Sequence, residues 1–176
     1  MKKSIVFAAI AAIPFFAFAQ SANTITFRGE VAEQTCSVAV NGNASSPVVL
    51  LPTVSTADLA SAGATAGQTE FTVSVSGCTA NVTPQAVNTV FLPNSVTPAG
   101  NILNTGTAAN VSLQLLDPAA PGTPFPLTGG FAAPGLQVAA NETSASHNFA
   151  VRYYAENAAV GAGSVVGAVQ YSVAYP

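Results

Sequence analysis

The chain has 176 residues, 49% of them hydrophobic and only 6% charged. That length favours one domain with room for a core, and a net charge of −3 at pH 7 argues against nucleic acid or an anionic membrane surface as partner. With 14 Gly, 12 Pro and no Trp, the composition is that of an all-β protein with many turns. So few charges are best tolerated where much of the surface is shared with other molecules.

The N-terminus reads as a secretory signal peptide, residues 1–19. Lys2 and Lys3 form its basic end, Ile5 to Phe16 its apolar run, and Ala17-Phe18-Ala19 its cleavage site. The run is too short to span a bilayer. After cleavage only Arg28 and Arg152 oppose seven acids, for a net charge of −5. Cys36 and Cys78 remain, and an even count in an oxidising compartment reads as one disulfide. Such a cross-link is worth about 4 kcal/mol on the chain-entropy model. Two Cys and one His cannot form a structural zinc site, and the spacing is not that of a C-x-x-C redox pair.

The first mature strand runs from Asn23 to Val31. Ile25, Phe27, Gly29 and Val31 alternate with Thr24, Thr26, Arg28 and Glu30, the pattern of a strand with one buried side. It stands at the free end of the mature chain, where order needs a reason. Its apolar face is therefore expected to serve a neighbouring molecule. The parity then slips, because Cys36, Val38 and Val40 are apolar at even positions. A regular strand cannot change parity, so a break between Ala32 and Thr35 divides an N-terminal arm, 20–33, from a body, 34–176.

Within the body a first strand is expected at Thr35–Val40, ended by Asn41-Gly42-Asn43. A short apolar strand follows at Pro47–Leu51, then one helical turn near Ser55-Thr-Ala-Asp-Leu with a Ser or Thr cap. Further strands are expected at Glu70–Gly77, which delivers Cys78, and at Val87–Leu92. Gly100–Gly106 reads as a turn-rich link. Ala109–Leu116 reads as a strand with Val111, Leu113 and Leu115 inward, and Pro121–Pro126 as a loop. Short strands are expected at Leu127–Gly130 and Leu136–Ala139. A longer one at Ser146–Ala155 carries Phe149, Val151 and Tyr153 on one face. After a small-residue loop at Ala158–Gly163, the last strand, Val165–Tyr175, alternates to the penultimate residue. Many short strands, turn signals and almost no helix describe an antiparallel β-sandwich.

Catalytic chemistry finds little support. His147 is the single histidine, with Asp58 or Asp117 as nominal triad partners, yet no G-x-S-x-G elbow is present. It reads as a loop or edge histidine before a strand. Gly161-Ala-Gly163-Ser-Val-Val-Gly167 is one residue too long for a dinucleotide loop and precedes a strand, so it reads as a flexible turn. The acids show no spacing suited to calcium or glycoside chemistry. No metal or cofactor is expected.

In this order, several segments resemble the structural subunits of bacterial chaperone–usher fimbriae, the type 1-like pilins. They are Phe27-x-Gly29-x-Val31 followed by Cys36, Gly77-Cys78 closing a strand, Asn110-Val-Ser-Leu-Gln-Leu-Leu-Asp117, Phe149-Ala-Val-Arg-Tyr-Tyr-Ala155, and a final alternating strand with Tyr175 next to last. The resemblance implies an incomplete immunoglobulin-like sandwich whose missing strand leaves a hydrophobic groove. It implies that a periplasmic chaperone fills the groove first. At the outer-membrane usher, the arm of another copy or of a sibling pilin then replaces the chaperone. By that resemblance Ile25, Phe27, Gly29 and Val31 enter successive pockets. Val169, Tyr171, Val173, Tyr175 and Pro176 form the groove edge and the chaperone contact. The function implied is a structural subunit of an adhesive fimbria at the cell surface. A minor adaptor or tip-proximal subunit is the alternative, and a secreted carbohydrate-binding β-sandwich a more distant one.

Overall fold

The structure is a computed structural model that describes residues 36–176. The signal peptide, the arm with Ile25, Phe27, Gly29 and Val31, and the break before Thr35 lie outside the described residues. Eight strands form the body: β1 Ser37–Val40, β2 Thr65–Ser76, β3 Gln85–Pro93, β4 Ile102–Leu103, β5 Val111–Leu116, β6 Phe131–Val138, β7 Ala145–Ala155 and β8 Val169–Ala174. They make two antiparallel sheets, β1-β2-β7-β5-β4 and β6-β3-β8.

The alternation read from sequence is what places the core. Phe71, Val73 and Val75 of β2, Val87 and Phe91 of β3, and Phe149 and Val151 of β7 turn inward between the sheets. Phe91 meets Phe149 edge-on at 5.2 Å, and Phe125 stacks on Phe131 at 4.8 Å. The spacings suit the ring quadrupole, which favours edge-on and offset contacts. The expected helical turn is a 3-10 turn, Thr56–Leu59. Ser55 accepts from the Ala57 amide while Asp58 accepts from the Ser55 amide, and Leu59 is driven into the core.

Several expectations are corrected. Pro47–Leu51 is not a paired strand; it runs between the two sheets, where no neighbouring strand offers a ladder. Gly100–Gly106 contains β4, a two-residue strand too short to show periodicity. Leu127–Gly130 is a turn, with Gly129 and Gly130 at φ of 80° and 91°, closed by the Gly130 amide donating to the Leu127 carbonyl. Leu127 is buried there as the anchor of a loop. The last strand begins at Val169, because Val165–Ala168 is diverted to the 94–108 region. His147 sits inside β7 opposite Val73 rather than before a strand.

Candidate functional site

Among the described residues, β1 pairs only with β2, and β8 only with β3. The chain ties these two edges together at one end. The Cys36–Cys78 disulfide forms, with Cα atoms 4.6 Å apart, fixing the start of β1 to the segment that follows β2. The Cys36 amide donates to the Tyr175 hydroxyl at 3.1 Å. Val38, Val173 and Tyr175 pack around the disulfide with Val75, Val87, Leu136 and Val138.

Beyond that end the edges part. After Val40 the chain leaves the first sheet and runs as an extended lip, 44–54. The opposite lip is 160–168, continuing into β8. Between them lies a groove with a chamber of about 730 Å³. Its floor is core: Phe71, Phe91, Ile102, Leu113, Leu115 and Val151. Its walls are Pro47, Val49 and Leu51 on one side and Gly167, Val169 and Tyr171 on the other. A second chamber of about 460 Å³ continues between the same segments, lined by Val54, Leu59, Val111, Tyr153, Val160 and Val165. Among the described residues no charged side chain lines either chamber. Burial raises the Tyr153 phenol above its ordinary value, and its hydroxyl donates to the Pro52 carbonyl at 3.2 Å.

Part of the backbone around the groove is unpaired. Among the described residues, the amides of Val48 to Leu51 and of Thr53 and Val54 find no hydrogen-bond partner. Among the same residues, the outer edge of β8 faces no strand. An apolar floor with open edges on both sides is chemically a site for an extended peptide. Such a peptide would cover the floor with alternate side chains and pair the edges with its backbone.

The five C-terminal residues named from sequence therefore divide. Val169 and Tyr171 line the groove; Val173 and Tyr175 pack against the disulfide; Pro176 is exposed. The sequence reading did not place Pro47, Val49 and Leu51 in the groove, because Pro47–Leu51 is apolar at every position and gives no signal of which side chains face inward. Gly167 was also missed: a Cβ there would meet Ile102 and Leu113 at 2.9 Å, so the lip approaches the floor only as glycine.

The nominal triad pair does meet, with His147 Nε2 3.2 Å from Asp117 Oδ2. Among the described residues no hydroxyl bonds the other ring nitrogen. The ring instead packs on Phe149 at 4.8 Å and lies over Gly135, where a Cβ would come within 2.5 Å of it. That is the geometry of a packed side chain, not of a base beside a nucleophile.

Comparison with known proteins accords with this geometry. The family model described as "Fimbrial protein" matches residues 25–176. The F17 fimbrial protein of Escherichia coli is 41% identical over 159 residues, 86% of each chain. The major fimbrial subunit SMF-1 of Stenotrophomonas maltophilia is 37% identical over 174 residues, covering 94% of this chain and 99% of the relative. In fold, the P pilus rod subunit PapA superposes with a TM-score of 0.59 at 13% identity, over 80% of this chain and 99% of that one. An antigen and type I fimbria protein of Burkholderia pseudomallei gives 0.55 at 24% identity, over 81% of this chain and 95% of that one. With an all-β immunoglobulin-like sandwich and a match that runs from Ile25 to the last residue, the chain belongs to the fimbrial protein family.

Proposed function

We propose that this chain is a structural, non-enzymatic subunit of a surface fimbria that polymerises by donor-strand exchange. The arm, 20–33, of one copy occupies the groove of the next. Ile25, Phe27 and Val31 fill apolar pockets, and Gly29 sits where the groove wall comes closest. The observation that carries this is the groove itself: an apolar floor flanked, among the described residues, by the unpaired amides of the 44–54 lip and the unpaired outer edge of β8. Left empty, it keeps core side chains wet and peptide groups unpaired, and a single strand relieves both. The arm supplies the matching pattern, four inward residues at period 2 without a charge among them.

On this reading the chain is exported through the periplasm. A chaperone strand occupies the groove there, and at the outer-membrane usher the arm of the incoming copy displaces it. The high identity to a major fimbrial subunit favours a shaft role over that of a minor adaptor.

The test is Phe27→Asp in the full chain, expressed with its own secretion machinery. A carboxylate in a dry pocket costs several kcal/mol, so filaments disappear. The subunit still accumulates in the periplasm bound to its chaperone, because its own groove is intact. Normal filament numbers in this variant would refute the proposal.

A further inference from the structure

The three-stranded sheet has two open edges. Among the described residues no strand pairs with the outer edge of β8, and none with the outer edge of β6. The edges of the five-stranded sheet are short by comparison, four residues in β1 and two in β4. Short edges offer little to a passing strand. β6 is the exception. It has eight residues against six in β8, and it carries no charged side chain to turn a partner strand away. By length alone it is the better template.

The two edges differ in regularity. β8 pairs residue for residue with β3 from Val169 to Ala174 and contains neither Pro nor Gly. β6 is broken in its middle. Ala133 pairs with Thr89 and Leu136 with Val87, so Asn88 alone stands against Pro134 and Gly135. That is a β-bulge, and burial follows it: the inward residues are Phe131 and Ala133, then Leu136 and Val138. Pro134 has no N–H to give a neighbour. Gly135 has a φ of 119°, in the region that L side chains avoid. The bulge is also backed from inside. The His147 ring, 3.2 Å from Asp117, lies where a Cβ on Gly135 would come within 2.5 Å of it. What remains regular is three residues on either side, 131–133 and 136–138, each short of the usual strand of about five or six.

We infer that Pro134 and Gly135 are specificity residues for strand exchange: their bulge closes the β6 edge, so that an incoming strand pairs along β8 instead. The inference rests on the exchange proposed above. A chain that polymerises by strand addition offers an extended apolar strand to every regular edge nearby, and each such edge competes for it. Main-chain pairing supplies affinity without reading side chains. The wrong edge must therefore be spoiled in its own backbone, and a proline beside a left-handed glycine does this without placing a charge on the sandwich. A strand captured on β6 would stall or branch the polymer.

The test restores the edge. Pro134→Thr with Gly135 deleted returns β6 to unbroken alternation. Filaments of the full chain are incubated with a dye-labelled synthetic peptide of residues 20–33, and bound peptide per subunit is measured. Wild-type filaments, whose grooves are filled, bind it only at their ends. The restored edge raises uptake about tenfold or more. Ala132→Thr, at another exposed position of the same strand, changes a side chain but not the edge and leaves uptake at the wild-type value. Should the deletion variant fail to accumulate, Pro134→Thr alone returns one amide to the edge and raises uptake several-fold. Uptake no greater than the wild type's in whichever variant assembles overturns the inference. Filaments that persist in Phe27→Asp would instead refute the exchange reading, which the difference between variant and wild type does not touch.

Discussion

The two lips of the groove are held by opposite means. The 160–168 lip is pinned along its length. Gly161 donates to Ala109 O, Ala108 to Ser164 O, Thr105 to Val166 O, and Asn94 to Ala168 O. Thr107 and Ser164 bond reciprocally through side chain and backbone, and Asn104 Oδ1 accepts from the Val166 amide. The 44–54 lip has no such ladder. Apart from Tyr153 reaching the Pro52 carbonyl, it is secured at its ends, by β1 and the disulfide before it and by the capped 3-10 turn after it. One wall of the groove is thus built in advance. The other has its backbone groups in reserve, and an incoming strand gains most by pairing with them. The division suits the strand exchange proposed above, since one loosely held wall is enough to open the groove.

The end anchor of the soft lip is the largest single contribution open to test. Cys36 and Cys78 close a loop with a sequence separation of 42. The chain-entropy relation assigns such a loop about 4 kcal/mol. The Cys36→Ser/Cys78→Ser variant should lose that much in denaturant titration of the chaperone-bound or polymerised protein. It should also accumulate poorly in the periplasm. Non-reducing mass spectrometry of the wild type should show no free thiol; two free thiols would contradict the structure.

The pinned lip breaks at a different point. A Cβ on Gly106 would overlap the Ser164 carbonyl oxygen, a backbone atom that cannot swing away. Gly106→Ala should therefore force the 104–108 and 161–166 segments apart, at about 1–3 kcal/mol for an overpacked contact. Gly122→Ala, where an added Cβ meets nothing within 4 Å, is the control and should change little. Equal melting of the two variants would mean that the 160–168 lip is not held as described.

Much of this was legible beforehand, and the exceptions are instructive. β2, β3 and β7 were readable because each turns one face to the core and alternates accordingly, and β5, buried on both faces, because Val111, Leu113 and Leu115 still alternate with Ser112 and Gln114. Ser55 and Asp58 announced the capped turn three residues apart. The lips were not legible as lips. Pro47–Leu51 is apolar throughout, like a buried strand, but its free edge lies at the groove, and no local signal tells a paired edge from a vacant one. Gly161–Gly167 looked like a flexible turn by composition. Its glycines instead permit close crossing with the 104–109 segment, a contact made by residues more than fifty positions away. The groove floor is made of ordinary core residues, so only the topology reveals that no strand among the described residues covers them.

The finest distinction between the lips is one of pH. Behind the pinned lip, the loop that precedes β4 is tethered to the end of β7 through one carboxylate. Glu156 Oε1 accepts from Thr97 Oγ1 at 2.9 Å, Asn101 Nδ2 at 2.9 Å and Ser112 Oγ at 2.6 Å. Burial alone would raise this carboxyl, but the three donors together hold it below its ordinary value. Because the folded value is the lower one, the stabilisation is fully present above the unfolded Glu value of about 4.3. It is lost as pH falls through the folded value. Glu156→Gln keeps an acceptor oxygen but not the charge, and Glu156 is only half-buried, so the expected loss near pH 7 is about 1 kcal/mol. The variant's stability should then fall less steeply than the wild type's between about pH 5 and pH 3, and the two curves should converge in acid. Among the described residues no charged group lines the soft lip's side of the groove, so donor-peptide binding there should be insensitive to the same titration. Denaturation curves of both proteins across that range check the first point. Parallel curves at every pH would show that the three donors do not hold the carboxylate in its charged form.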